Sequence, residues 1–403
     1  MKKILIFSLN YYPFVGGAEV AVKEITDRIS PEKIEFHLIA YRFDSALPRD
    51  EHVGNVRVHR VGFGRKGTTL NDTFSRTGYV AKIFYVPFAA LEGILLHRKH
   101  HFDGAWAMMN YMVFPLVLMR MVGLRLPYVL TLQEGDPFEH VFDRMRIRFF
   151  SPLLFYGIRH ASAVQAISTF LGAWARRCGF TGTLEIIPNG VDIERFAHAY
   201  ALEDVVTARS KMNAGTGDTL LVTTSRLVHK NGIDDVIRAL PLLPEQVRFV
   251  VYGIGPDEEK LRALAKESKV ENRVHFMGHI AHGEMPLALR MCDIFIRPSR
   301  SEGMGNSFIE AMAAGLPVIA TQEGGIADFL FDANRNPQKP TTGWAVDKDC
   351  PVQIAEQVKN ILAFPAEVAQ VKKTARDMAV QHYDWNTVAR AMYGLFDRVF
   401  EGK

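Results

Sequence analysis

IFIRPSRSEGMGNSFIEAMAAGLPVIAT, residues 294–321, reads as a complete strand–loop–helix–strand unit. The run Ile294–Ile296 is apolar and ends in a loop that carries Glu302. Gly303 and Gly305 bare the backbone amides of that loop. A helix starts near Ser307 with Glu310 in its first turn, and Val318–Thr321 is the next strand. Two apolar runs joined by a helix are the repeating element of a parallel α/β sheet.

The same alternation extends upstream through Val274–Phe276, Val247–Tyr252 and Thr219–Ser225. Earlier in the chain it recurs as Lys3–Leu9, Phe36–Tyr41, Gly104–Met108, Tyr128–Leu132, Ala163–Ile167 and Leu184–Ile187. The rhythm breaks between the turn cluster Pro188-Asn189-Gly190-Val191-Asp192 and Gly215-Thr216-Gly217-Asp218. The predicted fold class is therefore α/β, with two Rossmann-like doubly wound domains facing across a cleft, residues 1–190 and 191–380. A helical tail follows, broken at Tyr383-Asp384-Trp385, whose last helix, 381–403, is expected to pack back on the first domain. In sheets of this kind ligands bind outside the carboxyl ends of the strands.

The 403 residues are 48% apolar and 23% charged, which excludes a disordered chain, a collagen-like repeat and a small disulfide scaffold. The net charge of +4 is uneven: residues 1–190 carry 23 basic and 16 acidic side chains, residues 191–403 carry 25 and 28. Three scattered cysteines, Cys178, Cys292 and Cys350, give no disulfide or CxxC framework and fit a reducing compartment. The apolar start Ile4–Leu9 is too short for a signal peptide, and Gly104–Met119 too short for a bilayer span. A cytoplasmic protein is expected, with contact at the inner face of the cytoplasmic membrane as its peripheral variant.

Three patterns carry chemistry. Gly16-Gly17-Ala18-Glu19 opens the first helix, where free N–H groups suit a phosphate, or where Glu19 simply complements the helix dipole. Arg226 and Lys230, after the first strand of the second half, offer a planar fork and a mobile point charge to a diphosphate. Glu302 and Glu310 suit the hydroxyls of a sugar or ribose. Ser307-Phe308-Ile309-Glu310 also reads as a capping box, which would give Glu310 a purely structural use.

Together these residues resemble the retaining glycosyltransferases of family 4, with the GT-B fold, over nearly the whole chain. The likeness rests on Glu302 and Glu310 with seven residues between them, Gly303 and Gly305, Gly315-Leu316-Pro317-Val318-Ile319-Ala320, Arg226 with Lys230, residues 188–192 and Gly16-Gly17. The resemblance implies that Arg226 and Lys230 bind the donor diphosphate and Glu310 the ribose. It gives the transferred sugar to Glu302 with the amides of Gly303, Met304, Gly305 and Asn306, and the donor phosphates to Gly16 or Gly17. Gly253, Gly255, Gly278, His279 and Ile280 match segments that flank the nucleotide. Two departures stand out. The second cation follows Arg226 one residue earlier than usual, and Leu132-Gln133-Glu134-Gly135-Asp136-Pro137 stands in place of a first-domain histidine, so that Gln133, Glu134 or Asp136 is the acceptor-side group or the loop is a purely structural turn shaped by Pro137.

The implied reaction transfers a hexose from a UDP- or GDP-linked donor to a glycan or lipid-linked acceptor, in cell-envelope polysaccharide assembly. It needs no cofactor beyond the nucleoside-diphosphate sugar. No DxD pair or histidine spacing marks a metal site, so a metal-independent enzyme is expected. An epimerase, a phosphorylase and a non-catalytic nucleotide-sugar-binding partner are the alternatives. Arg144, Arg146, Arg148 and Arg159, interleaved with phenylalanines in residues 138–160, suit either an anionic lipid surface or ordinary core packing. No nucleic-acid module or lysine-rich tract is present, so no nucleic-acid partner is expected.

Overall fold

The computed structural model describes residues 1–68, 76–142, 149–210, 215 and 217–401. Arg144, Arg146, Arg148 and Thr216 lie outside them. The chain divides into two compact units, Met1–Asn189 with Trp385–Lys403, and Gly190–Asp384.

The first unit is built on eight strands: β1 (Lys2–Phe7), β2 (Ile34–Tyr41), β3 (Asp50–Val53), β4 (Val56–Val61), β5 (Gly104–Met108), β6 (Tyr128–Leu132), β7 (Ala163–Ala166) and β8 (Thr183–Ile186). Their order is β3-β4-β2-β1-β5-β6-β7-β8, and every pairing is parallel except β3 with β4. The β3–β4 hairpin turns at Gly54, which has φ 59°. It escapes the sequence reading because Glu51, His52, Arg57, His59 and Arg60 interrupt its apolar pattern. Ile4, Ile6, Phe36, Leu38, Val56 and Val58 face one core, covered by the Gly17–Asp27 helix and by the terminal helix Trp385–Val399. That terminal helix buries Trp385, Val388, Met392, Leu395 and Phe396, with Phe396 5.1 Å from the Trp106 ring.

The second unit carries β9 (Thr219–Thr224), β10 (Val247–Tyr252), β11 (Val274–Gly278), β12 (Ile294–Arg297), β13 (Val318–Ala320) and β14 (Trp344–Ala345). All pairings are parallel, in the order β11-β10-β9-β12-β13-β14. In chain rank this is 3-2-1-4-5-6, the doubly wound order whose switch point lies between the first and fourth strands, here β9 and β12. The inner strands β10, β9, β12 and β13 are buried on both faces and read as short apolar runs, whereas edge strand β11 buries only Val274. Helices Pro351–Ala363 and Pro365–His382 stay with this unit, and the chain passes back to the first unit at Trp385.

Among the described residues of 138–160 are two short helices, Phe138–Phe142 and Ser151–Arg159. Phe138, Phe142 and Leu154 are buried, Phe142 packs on Trp174, and Arg159 donates to the Cys178 carbonyl. Phe138, Phe142, Leu154 and Ile158 thus pack into the core, while among the described residues Phe149, Phe150 and Tyr156 stand exposed as large apolar side chains.

Candidate active site

In the second unit the candidate residues stand on loops beyond the carboxyl ends of β9 and β12. Arg226 is two residues past β9 and exposed, and Lys230 lies in the single 3-10 turn His229–Asn231. Asn231 donates its amide to the Arg226 carbonyl at 2.6 Å, which fixes the loop between the two cations. Gly232 closes the turn at φ 68°, where a Cβ would stand 2.1 Å from the Pro298 carbonyl oxygen. That close approach lays the Lys230 loop against the loop leaving β12, and the Arg300 N–H then donates to the Lys230 carbonyl at 2.6 Å. The Arg300 guanidinium pairs with Asp234 and Asp235 at the start of the next helix, and these carboxylates push its pKa up against the opposing effect of burial.

Glu302 is organised by a residue the sequence reading passed over. Arg297 ends β12, is 5% exposed, and donates to Glu302 at 2.8 Å, to Ser307 Oγ at 2.8 Å and to the Thr224 carbonyl at 3.3 Å. Its guanidinium also lies 4.1 Å from the centre of the Phe308 ring. Burial lowers the Arg297 pKa, and Glu302 and Glu310 oppose that shift. One buried cation thus joins the end of β9, the Glu302 loop and the following helix. The only signal for it in the sequence is a charge closing an otherwise apolar strand. A charge in that setting is retained only when paired.

The capping-box reading does not hold. The helix runs Asn306–Ala313 from a Gly305 N-cap at φ 89°, which has no side chain to cap with; Ser307 lies inside the helix, and its Oγ accepts from Arg297. A Cβ on Gly305 would lie 2.8 Å from Arg297 and 2.6 Å from Phe308, so the glycine is needed for the approach as well as for its φ. Glu310 instead turns its carboxylate toward His282, at 3.4 Å, and is 12% exposed. His282 meets Arg195 on its other nitrogen at 3.1 Å and also went unread in the sequence.

The remaining second-unit candidates divide by role. Gly253, at φ 140°, and Gly255 would place a Cβ 1.8 Å from the Ser225 oxygen and 2.2 Å from the Leu227 oxygen, so they admit the Arg226 loop. The Gly253 N–H donates to the Gly278 carbonyl at 2.7 Å, tying in the turn that holds exposed His279 and half-buried Ile280. Gly303 donates its N–H to Glu302 Oε1 at 3.1 Å, Asn306 is the first helical residue, and Met304 is buried.

In the first unit, Gly16 N–H donates to Glu19 Oε2 at 2.7 Å and the helix starts at Gly17, around which a Cβ would meet nothing within 4 Å. Glu134 and Asp136 part company. Asp136 is exposed, whereas Glu134 is buried beyond the end of β6 and accepts the N–H of Asn110 at 2.7 Å and of Gln133 at 2.9 Å. Burial lifts the Glu134 pKa to about 7 against the pull of those donors. The Gln133 side-chain oxygen Oε1 accepts from the Asn189 side-chain amide at 3.2 Å. Met109, just past β5, is held at φ 73°, and the buried Asn110 amide nitrogen has no hydrogen-bond partner. Backbone held in a sparsely populated region beside an orphaned polar group is the sort of strain that collects at binding sites. Gly16, Asn110 and Glu134 follow β1, β5 and β6, three neighbouring strands.

A family model for glycosyl transferases group 1 matches residues 205–378, and one for Glycosyltransferase Family 4 matches residues 15–195. The chain is 33% identical over 239 residues, 56% of its length, to a GDP-mannose-dependent alpha-(1-6)-phosphatidylinositol monomannoside mannosyltransferase of Mycolicibacterium smegmatis. It spans 60% of that relative's length. It is 25% identical over 316 residues to a 2-deoxystreptamine glucosyltransferase of Streptomyces kanamyceticus, covering 74% of this chain and 76% of the other. The fold matches that of a sucrose-phosphate synthase from Thermosynechococcus elongatus with a TM-score of 0.81 at 19% identity, over 99% of each chain. HepE of Anabaena, solved with UDP-glucose, gives 0.75 at 20% identity, over 99% of this chain and 100% of the other. Two α/β units with parallel sheets, and family models that between them take in both units, lead to one assignment: the chain belongs to glycosyltransferase family 4, the glycosyl transferases group 1, with the GT-B fold.

Proposed function

We propose that the protein is a retaining, metal-independent glycosyltransferase that moves a hexose from a nucleoside-diphosphate sugar to a glycolipid or glycan acceptor of the cell envelope. The supporting observation is that Arg226, Lys230 and Glu302 stand on loops laced together at the switch point of the second sheet, with buried Arg297 tying Glu302 to the end of β9. Cleavage of the anomeric bond puts negative charge on the leaving diphosphate and positive character on the sugar ring. Cations fixed beforehand at that oxygen stabilise the transition state more than the ground state. In this reading Arg226 and Lys230 take the diphosphate. Glu310 takes the ribose, and Glu302, aimed by Arg297, takes the transferred sugar with its neighbouring amides. Neither a metal nor a cofactor enters these steps, and the leaving phosphate itself receives the acceptor proton on the front face.

On the acceptor side, Glu134 is the group we assign, because it is buried, backbone-anchored and has a pKa lifted by burial to about 7, so that both its protonated and ionised forms are present near neutral pH. GDP-mannose is the first donor to test, given the similarity to the mannosyltransferase. No helix among the described residues is long and apolar enough to cross a membrane. A peripheral contact at the inner membrane face is supported by the Arg76–His100 helix, which exposes Val80, Ile83, Phe84, Leu91 and Leu95 in one helical stripe. Phe63, also exposed, packs its ring on Phe88 of that helix and is followed closely by exposed Arg65 and Lys66, which suit anionic headgroups.

The test is release of free nucleoside diphosphate from a panel of nucleotide sugars with a short-chain phosphoinositide mannoside or glycan acceptor, with and without EDTA. Turnover that survives EDTA is expected. Abolition by EDTA under conditions where the protein stays folded removes the metal-free mechanism, and absence of both turnover and donor binding removes the transferase reading in favour of a non-catalytic protein.

A further inference from the structure

The strands of the first unit bury one more chemical cluster, on the sheet face under the Arg76–His100 helix. Strand alternation places Glu35 and His37 of β2 on that face, with His59 of β4 beside them and Asp50 of β3 at the edge. They form a line. Glu35 Oε1 lies 2.8 Å from His37 Nε2, His37 Nδ1 lies 2.9 Å from His59 Nε2, and His59 Nδ1 lies 2.6 Å from Asp50 Oδ1. His37 is fully buried and His59 is 4% exposed.

The line is one hydrogen short. A neutral imidazole carries a single N–H, so two imidazoles supply two protons to three contacts. If Asp50 takes the proton on His59 Nδ1, then His59 Nε2 accepts from His37 Nδ1. The lone pair of His37 Nε2 is left facing the Glu35 carboxylate at hydrogen-bond distance. Two facing lone pairs repel, and a cation bound to both removes the conflict, the 2.8 Å contact opening to the roughly 3.3 Å that two such ligand bonds span. His100 supplies a further donor atom at that end. Its ring centre is 4.5 Å from that of His37, and its Nε2 is buried without a hydrogen-bond partner. One ligand atom from each of Glu35, His37 and His100 falls within 4.8 Å of the others. His100 also closes its helix, where the carbonyl ends favour positive charge.

We propose that Glu35, His37 and His100 bind a zinc-class divalent cation, with His59 and Asp50 as the relay that orients His37. Two imidazoles and one carboxylate are a donor set for such ions, and an imidazole ligand characteristically donates its other N–H to a polar partner behind it. Lys3 stands 3.7 Å from the second Glu35 oxygen and Arg57 flanks His37 on β4, so the imidazoles, more than net charge, hold the ion. Glu35 lies near the amino end of β2, whereas Gly16, Asn110 and Glu134 lie past the carboxyl ends of their strands, so the ion would brace the helix end on the sheet. It would take no part in transfer. The spacing gave no hint of this, since residues 35, 37 and 100 meet only through the fold.

The experiment uses the full chain without a histidine tag, stripped with chelator and titrated with Zn²⁺ or Co²⁺ alone. One ion per chain, a rise in melting temperature, and a cobalt spectrum of nitrogen and oxygen ligands are expected. Glu35→Gln and His100→Ala, both at partly exposed positions, should each weaken binding at least tenfold, and Asp50→Asn about tenfold without changing stoichiometry. No stoichiometric uptake by the folded chain, or uptake that Glu35→Gln and His100→Ala both leave unchanged, overturns the proposal.

Discussion

Replacing Arg297 by lysine keeps a positive charge at the end of β12 and removes the planar fork. The guanidinium serves the Thr224 carbonyl, Ser307 Oγ and Glu302 at once and stacks on Phe308. An ammonium cannot span three acceptors in those directions. Losing one charge-assisted hydrogen bond costs about 1.5–3 kcal/mol, so a destabilisation of about 2–3 kcal/mol is expected for Arg297→Lys. For a unit of this size, at about 2–4 °C per kcal/mol, the melting temperature should fall by about 4–12 °C. The folded variant should still bind donor, yet its kcat should fall at least about tenfold, because Glu302 loses the partner that aims it. Glu302→Gln supplies the second arm of a double-mutant cycle, read in kcat on protein shown to be folded. If Arg297 acts through Glu302, the two losses do not add, and the coupling exceeds about 0.5 kcal/mol. A lower melting temperature with unchanged kcat, or two fully additive losses, would refute the positioning role and leave Arg297 as a structural pair.

Three other outcomes are expected. Glu134 has a folded-state pKa lifted to about 7, so the unfolded chain gives up its proton first as pH rises, and stability contributed by this group falls between about pH 4.5 and 7 by on the order of 3 kcal/mol. Glu134→Gln should remove that slope in denaturant unfolding measured from pH 5 to 8; parallel profiles for the two proteins would contradict it. Gly17→Ala meets no atom within 4 Å and should fold with stability within about 1 kcal/mol of the parent, while donor KM rises if the donor phosphates approach this helix end; an unchanged KM would argue for a plain helix start. Lys230→Ala and Glu310→Ala should each weaken donor affinity in calorimetry about tenfold with melting temperature nearly unchanged, and a large loss of stability at intact affinity would give Glu310 a structural role after all.

What could be read from sequence depended on how each feature is encoded. Parallel strands with buried side chains appear as short apolar runs, so β1, β2, β5, β6 and β9 to β13 are visible in the sequence, whereas the two-residue β14 is too short to show. The β3–β4 hairpin was hidden because its alternate residues are charged or histidine and find partners only across strands. Glu302, Glu310, Arg226 and Lys230 stood out because loops at strand ends concentrate glycine and charge. Arg297 and His282 did not, because their importance lies in contacts with residues 5 to 87 positions away.

Residue order alone thus determined the α/β class, the two-unit plan and which loops hold the candidate residues, since periodicity and turn residues are local properties of a chain. Folding decided which carboxylate in Gln133–Asp136 is buried, whether Ser307 caps a helix or receives Arg297, and that Glu35, His37 and His100 meet. Each of those depends on burial and on side chains from distant segments sharing a few ångströms, and no one-dimensional pattern records that.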